Sequence, residues 1–174
     1  MLPKLTLVIG AAASGKSAFA ERLVVASGLS KIYLATAQPH DDEMRAKINL
    51  HQTSRGPNWQ TIEAPLDLSF PLADATTDDI VLLDCATLWL TNHFLAESNI
   101  EQGENDLLKS LRNCAARVVI VSNEVGAGIV PDNALSRKFR QAQGQLNQVL
   151  AAKSDLVVNV ISGLPLVLKG ALPK

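Results

Sequence analysis

Residues Gly10 to Ser17 read G-A-A-A-S-G-K-S and satisfy G-x-x-x-x-G-K-[ST] at every fixed position. This pattern needs a strand, a tight glycine-bearing loop and a helix, in that order. Leu5-Thr6-Leu7-Val8-Ile9 reads as a buried strand, and Ser17 to Ala26 carries the Ala, Leu and Glu content of a helix. The loop turns backbone N–H groups toward one point, and the helix N-terminus adds partial positive charge there. Lys16 is expected to reach the β- and γ-phosphates of a nucleoside triphosphate, and the Ser17 hydroxyl to hold Mg²⁺. The competing reading is an ordinary strand-to-helix turn that happens to carry Gly-Lys-Ser.

Strand-like runs recur along the chain with helical patterns between them. Further strands are expected over Lys31–Thr36, Trp59–Ala64, Ile80–Leu83, Val118–Ser122 and Leu156–Ile161. The continuous apolar character of several implies strands covered on both faces, hence a mainly parallel α/β sheet. Ser162-Gly163 reads as a turn into a final strand over Leu164–Leu168, an antiparallel edge. Helices are expected over Asp41–Ser54, Thr87–Glu97, Glu101–Ala115 and Asn133–Ala152, the last capped by Asp132 or Asn133. Pro65–Asp79 gives no regular pattern. At 174 residues, without repeats, low-complexity segments or a linker, residues 1–174 are expected to form one domain.

The remaining composition excludes several classes. A net charge of −1 and a pI of about 6.3 give no basic field for nucleic acid. Cys85 and Cys114 lack metal-site spacing and are expected to be reduced thiols of a cytoplasmic protein. No signal peptide is expected from the short apolar run before Gly10. Ile80–Leu90 is interrupted by Asp84 and is too short to span a bilayer.

In an open α/β sheet, ligands bind beyond the carboxyl ends of the strands. That rule selects Gly10–Ser17, Thr36–Gln38, Asp84-Cys85 and Asn123–Gly126. Asp84 ends an apolar strand, where a phosphate-loop protein holds Mg²⁺; the alternative is a carboxylate that merely ends the strand or caps the next helix. If the segment Met44–Arg55 is a helix, Lys47, His51 and Arg55 share one face. A histidine between two cations suits an encounter with a polyphosphate, where the cations offset phosphate charge and the imidazole can attack phosphorus. The same pattern also describes a solvated basic face with a bystander histidine. His40 reads as a helix-start residue and His93 as a packed or interface one. Glu124, in Asn123-Glu124-Val125-Gly126-Ala127-Gly128-Ile129-Val130-Pro131, could orient a substrate hydroxyl or act as a base.

Together these blocks resemble the bifunctional adenosylcobinamide kinase / adenosylcobinamide-phosphate guanylyltransferase family of cobalamin biosynthesis. The resemblance covers nearly the whole chain. It runs through Gly10–Ser17, Tyr33-Leu34-Ala35-Thr36, Asp41-Asp42-Glu43-Met44, Ile48-x-x-His51-x-x-x-Arg55-x-x-x-Trp59 and Thr61-x-Glu63-x-Pro65. It continues through Asp84-Cys85-x-Thr87-x-Trp89-Leu90-Thr91-Asn92 and Asn123–Pro131.

The resemblance implies a phosphate-loop NTPase fold of the RecA-like branch and two reactions. A nucleoside triphosphate, ATP or GTP, phosphorylates the aminopropanol hydroxyl of adenosylcobinamide. GTP then transfers GMP to that phosphate through a covalent bond to a histidine, and the matching position is His51. Implied nucleotide contacts are Gly10, Ala11, Ala12, Ala13, Ser14, Gly15, Lys16, Ser17, Ala35, Thr36, Ala37, Gln52, Thr53, Ser54, Arg55, Glu63 and Asp84, with Lys16 catalytic and Ser17 and Asp84 on Mg²⁺. A homo-oligomer, a trimer by family analogy, is implied as well. The family's loop commonly reads G-G-x-R-S-G-K-S, so Ala11 and Ala13 depart from it. The alternatives are a phosphate-loop kinase without a covalent step and a nucleotide-dependent switch or assembly ATPase.

Overall fold

The computed structural model describes residues 1–38, 55 and 58–173. The elements are β1 (Leu5–Gly10), α1 (Lys16–Ala26), β2 (Ser30–Ala35), β3 (Trp59–Glu63), α2 (Ser69–Asp74), β4 (Asp79–Asp84) and α3 (Ala86–Leu95). They continue with α4 (Ile100–Asn113), β5 (Arg117–Asn123), α5 (Ala134–Lys153), β6 (Leu156–Ile161) and β7 (Leu164–Lys169). The strands form one sheet in the order β3-β2-β4-β5-β1-β6-β7. Every pair is parallel except β6–β7, the antiparallel edge expected from the Ser162-Gly163 turn.

Alternation along the strands sends side chains into two cores. Leu7, Leu34, Val81, Leu83 and Ile120 face one way, against Trp89, Leu90, Leu111, Leu146 and Leu150 of α3, α4 and α5. Val8, Tyr33, Ile80, Leu82, Val119 and Val158 face the other way, against Phe19, Ala20 and Val24 of α1. Burial on both faces accounts for the unbroken apolar strands.

The helix ends follow local capping chemistry. Asn99 accepts from Gln102 N at 3.0 Å and Asn133 from Ser136 N at 2.7 Å, so Asn133 is the cap of α5. The expected helix over Asp41–Ser54 lies outside the described residues. Pro65–Asp79, which gave no pattern, contains α2. Its six residues include Pro71, too short and too broken for periodicity to reveal. Among the described residues no helix is long and apolar enough to cross a membrane.

Candidate nucleotide and acceptor site

The register of the sheet assembles the site. Ala35 of β2 stands level with Glu63 of β3 and with Asp84 of β4. Gly10 of β1 stands level with Asn123 of β5. Asp84 continues the Ile80-Leu82 alternation and Glu63 opposes the inward Ile62, so both carboxylates lie on the α1 side of the carboxyl edge. The phosphate loop opens on that same side. Sequence-distant acidic residues are thus brought to one row beside it.

The loop itself is held by its backbone. Ser14 N donates to Ala11 O at 3.2 Å, and Lys16 Nζ donates across the loop to the same carbonyl at 3.2 Å. Gly15, with φ 89°, caps α1, and Phe19 N donates to its carbonyl at 3.0 Å. A Cβ on Gly15 would lie 3.2 Å from Gly163 Cα, so the loop rests directly on the β6–β7 turn. Gly163 N donates to Ser14 O at 2.8 Å. That turn has φ 51° at Ser162 and 79° at Gly163, the positive pair of a two-residue hairpin. Sequence reading found the turn but not its contact with the loop, which only the position of β6 beside β1 supplies.

A second set of bonds fixes the acidic row. Thr36 is fully buried; its Oγ1 accepts from Cys85 N and donates to Cys85 O, each at 2.8 Å. Asn92 Nδ2 donates to Thr36 O at 2.8 Å and to Pro65 O at 2.9 Å. Thr87 Oγ1 accepts from Asn123 N at 2.8 Å. Thr36 therefore clamps the end of β2 to the Asp84-Cys85 junction, and α3 is pinned across the carboxyl edge. Sequence reading placed Thr36 at a nucleotide and passed over Asn92 and Thr87 as carriers of this geometry. Their signals were a place in the block that carries the family resemblance and a polar side chain on a largely apolar helix.

The titratable groups are shifted mainly by burial. Burial pushes the Cys85 thiol up to about 12, with Asp84 adding to it, so the thiol stays protonated and is no nucleophile. Burial, then Asp84, also raises the Tyr33 phenol. Arg55 stacks on that ring, its guanidinium carbon 3.3 Å from the centroid, and its Nη1 is buried without a hydrogen-bond partner. Arg55 thus belongs to the α1 side, with the acidic row. His93 is buried against Trp89 at 4.4 Å, the packed role expected of it; burial lowers its pKa. Glu124 Oε1 accepts from Gly126 N at 2.6 Å.

His51, with Gln52, Thr53 and Ser54, lies outside the described residues. Among the described residues no group of three His, Cys, Asp or Glu side chains is placed to hold a metal. The Ser17 hydroxyl and the Asp84 carboxylate are hard oxygen donors, a donor type that suits Mg²⁺.

Residues 6–168 match the model of a family described as cobinamide kinase / cobinamide phosphate guanyltransferase. The chain is 41% identical over 167 residues to the bifunctional adenosylcobalamin biosynthesis protein CobP of Pseudomonas aeruginosa, covering 94% of this chain and 96% of that protein. It is 40% identical over 183 residues to the bifunctional adenosylcobalamin biosynthesis protein CobU of Salmonella typhimurium, covering 94% of this chain and 98% of that one. Among solved structures, an ATPase of a bacterial type III secretion system aligns with 94% of this chain at a TM-score of 0.56 and 10% identity. The alignment takes in 56% of that ATPase, and the likeness is one of fold.

Proposed function

The chain belongs to the cobinamide kinase / cobinamide phosphate guanyltransferase family, and from that premise we propose that it phosphorylates adenosylcobinamide and then guanylylates the product. The observation that carries the reading is the near-complete match to the family, with an intact phosphate loop beside the acidic row.

In the first reaction the loop N–H groups and Lys16 hold the β- and γ-phosphates of ATP or GTP. The aminopropanol hydroxyl of adenosylcobinamide attacks the γ-phosphorus. The bond to the β–γ bridging oxygen breaks, the nucleoside diphosphate leaves, and the hydroxyl proton is released. Lys16 offsets charge on the transferring group. In the second reaction a nitrogen of His51 attacks the α-phosphorus of GTP and pyrophosphate leaves. A phosphate oxygen of adenosylcobinamide phosphate then attacks the same phosphorus. The P–N bond breaks, giving adenosylcobinamide-GDP and free His51. Dividing the transfer in two replaces one hard displacement with two easier ones. Mg²⁺ on Ser17 and Asp84 would supply further charge neutralisation at the phosphates.

Placement of Glu63 and Asp84 on the loop's side of the sheet supports their nucleotide contacts, and the Arg55 stack on Tyr33 supports a cation there. Ala35 and Ala37 offer the nucleotide backbone rather than polar side chains. A cytoplasmic homo-oligomer, a trimer by family analogy, belongs to the same proposal. The apolar edge strand β7, with Leu164 and Leu168 exposed, supports assembly.

The test is incubation with Mg²⁺ and GTP labelled at the α-phosphorus. The protein should retain label as an acid-labile, base-stable adduct, and His51→Ala should lose it while keeping most cobinamide phosphorylation. Retention of label by His51→Ala would remove the histidine from the mechanism.

A further inference from the structure

Both proposed reactions share one bulky acceptor, so the enzyme needs a surface that holds a corrin ring within reach of the phosphate loop. A corrin is a broad macrocycle with apolar faces and a rim of amide side chains. The complementary surface is an apolar cleft with a few polar groups at its margin, at the carboxyl edge of the sheet.

Several clefts lie among the described residues. One of about 560 Å³ contains Lys4, Leu5 and Asp155, at the amino ends of β1 and β6, away from the phosphates. Another, of about 410 Å³, lies between α1 and the start of β3 and is flanked by the cations Arg22 and Arg55, which an apolar ring face does not match. A third, about 630 Å³, lies between α2, α3 and α4 and is ringed by Asp67, Asp106, Lys109 and Asn113. The fourth, about 430 Å³, differs from all three in chemistry and place. It is walled mainly by Phe94, Leu95, Val125, Pro131, Leu135 and Phe139. Phe94 and Phe139 meet edge to face at 5.4 Å within it.

This cleft lies on the α3–α5 side of the sheet, and the chain that forms its wall continues to the phosphate loop at the shared carboxyl edge. Asn123 is level with Gly10, and Glu124 N donates to Gly10 O at 2.9 Å. Val125, the next residue, already lines the cleft. The loop after β5 is braced by side chains on both sides of its tip, at Asn123 and Gly126 before it and at Pro131 and Asp132 after it. Asn147 Nδ2 donates to Asn123 O at 3.0 Å, Arg140 Nη2 donates to Gly126 O, and Arg137 Nη1 donates to Pro131 O and Asp132 O at 2.9 and 2.8 Å. Yet this anchored loop carries Ile129 at 96% exposure and Val130 at 66%, with Leu95 and Leu135 both 67% exposed nearby. Aliphatic side chains held outward by a braced loop beside a catalytic edge form a binding surface rather than a folding error.

We propose that this cleft and the Ile129-Val130 tip dock one edge and face of the corrin ring, an inference that rests on the acceptor named under Proposed function. The cleft is too small for the whole macrocycle, so the ring enters by an edge and lies outward over Ile129 and Val130. Guanidinium N–H groups of Arg140 and the Ser136 hydroxyl, both at the margin, face the peripheral amides. The aminopropanol arm then extends along Asn123–Val125 toward the γ-phosphate.

The test uses the full chain with cobinamide as acceptor. KM values for cobinamide and for nucleotide are measured separately, cobinamide binding is followed by tryptophan quenching without nucleotide, and mass in solution is recorded. Ile129→Ser and Leu135→Ser change exposed side chains that the fold does not need. Each is expected to raise the cobinamide KM and Kd about tenfold, with nucleotide KM and mass unchanged. Phe70→Ser, an exposed apolar change on α2, is expected to alter neither constant. Unchanged cobinamide KM and Kd in both cleft variants overturns the docking site. A loss of oligomer mass accompanying the weaker binding also overturns it, by showing the surface to be an interface between copies. Failure of the unaltered enzyme to phosphorylate cobinamide would instead remove the proposed function.

Discussion

The phosphate loop and the loop after β5 leave neighbouring strands at the same edge of the sheet, but they are stiffened in opposite ways. The first is fixed by backbone bonds: Ser14 N to Ala11 O, Gly163 N to Ser14 O, and Gly15 seated against Gly163. The second is fixed by long side chains, Arg137, Arg140 and Asn147, reaching in from α5 to its carbonyls. The difference follows from what each receives. Phosphates need N–H groups at fixed positions with no side chain in the way. An apolar macrocycle needs projecting aliphatic side chains, so the support must come from behind. Substitutions in one loop should therefore leave the ligand of the other untouched.

Lys16→Ala is the largest expected break. It should lower turnover in cobinamide phosphorylation by at least about 10²-fold, as loss of one preorganised donor to a developing anion does. Its only described hydrogen bond in the protein is to Ala11 O, so Tm should barely move. Cobinamide binding, followed by tryptophan quenching without nucleotide, should be unchanged. A parallel loss of cobinamide binding would show the two loops to be one site.

Gly163→Val tests the backbone support from below. Nothing stands within 4 Å of a Cβ at this position, so the Cβ itself meets no neighbour and the strain comes from φ 79°. A branched residue held in the left-handed region costs about 1–2 kcal/mol or more. For a chain of this size that lowers Tm by about 3–6 °C. The displaced turn releases Ser14 O and should weaken nucleotide binding severalfold, read by nucleotide-dependent thermal shift. Gly163→Asn tolerates the conformation and should recover both. Failure of Asn to rescue would mean the turn acts through space rather than through backbone conformation.

Legibility in the sequence divided along the same line. The phosphate loop could be read because its chemistry is local: the backbone that binds is the backbone that carries the glycines and Lys16. The strands could be read because burial on both faces leaves Ile80-Val81-Leu82-Leu83 and Val118-Val119-Ile120-Val121 unbroken. The row Ala35–Glu63–Asp84 depends on β2 lying between β3 and β4, and strand order is not written in any single segment. Support from Gly163, the clamp of Asn92 on Thr36, and the hold of Arg140 and Asn147 on Gly126 and Asn123 are also contacts across chain distance. Each of those residues has an ordinary local reason to be where it is, as a turn glycine or as a polar residue on a helix. Only packing shows the second use.

The smallest effect is expected at Ala13, where the phosphate loop departs from the family's arginine. Ala13 has φ 55°, a left-handed conformation that costs an L-residue about 1–2 kcal/mol. Ala13→Gly relieves that cost but returns about 0.4–1 kcal/mol through the freer unfolded chain. The net gain is about 0.5 kcal/mol, and Tm should rise by about 1–2 °C. Nucleotide affinity should change less than about twofold, because the N–H groups stay where Gly163 and the start of α1 hold them. The strain then belongs to the loop's path and not to the side chain at position 13, and an arginine there would bear it equally. A fall in Tm in Ala13→Gly, or a large change in affinity, would show that the alanine methyl itself shapes the loop, and the contrast between a backbone-built and a side-chain-built loop would fail at that residue.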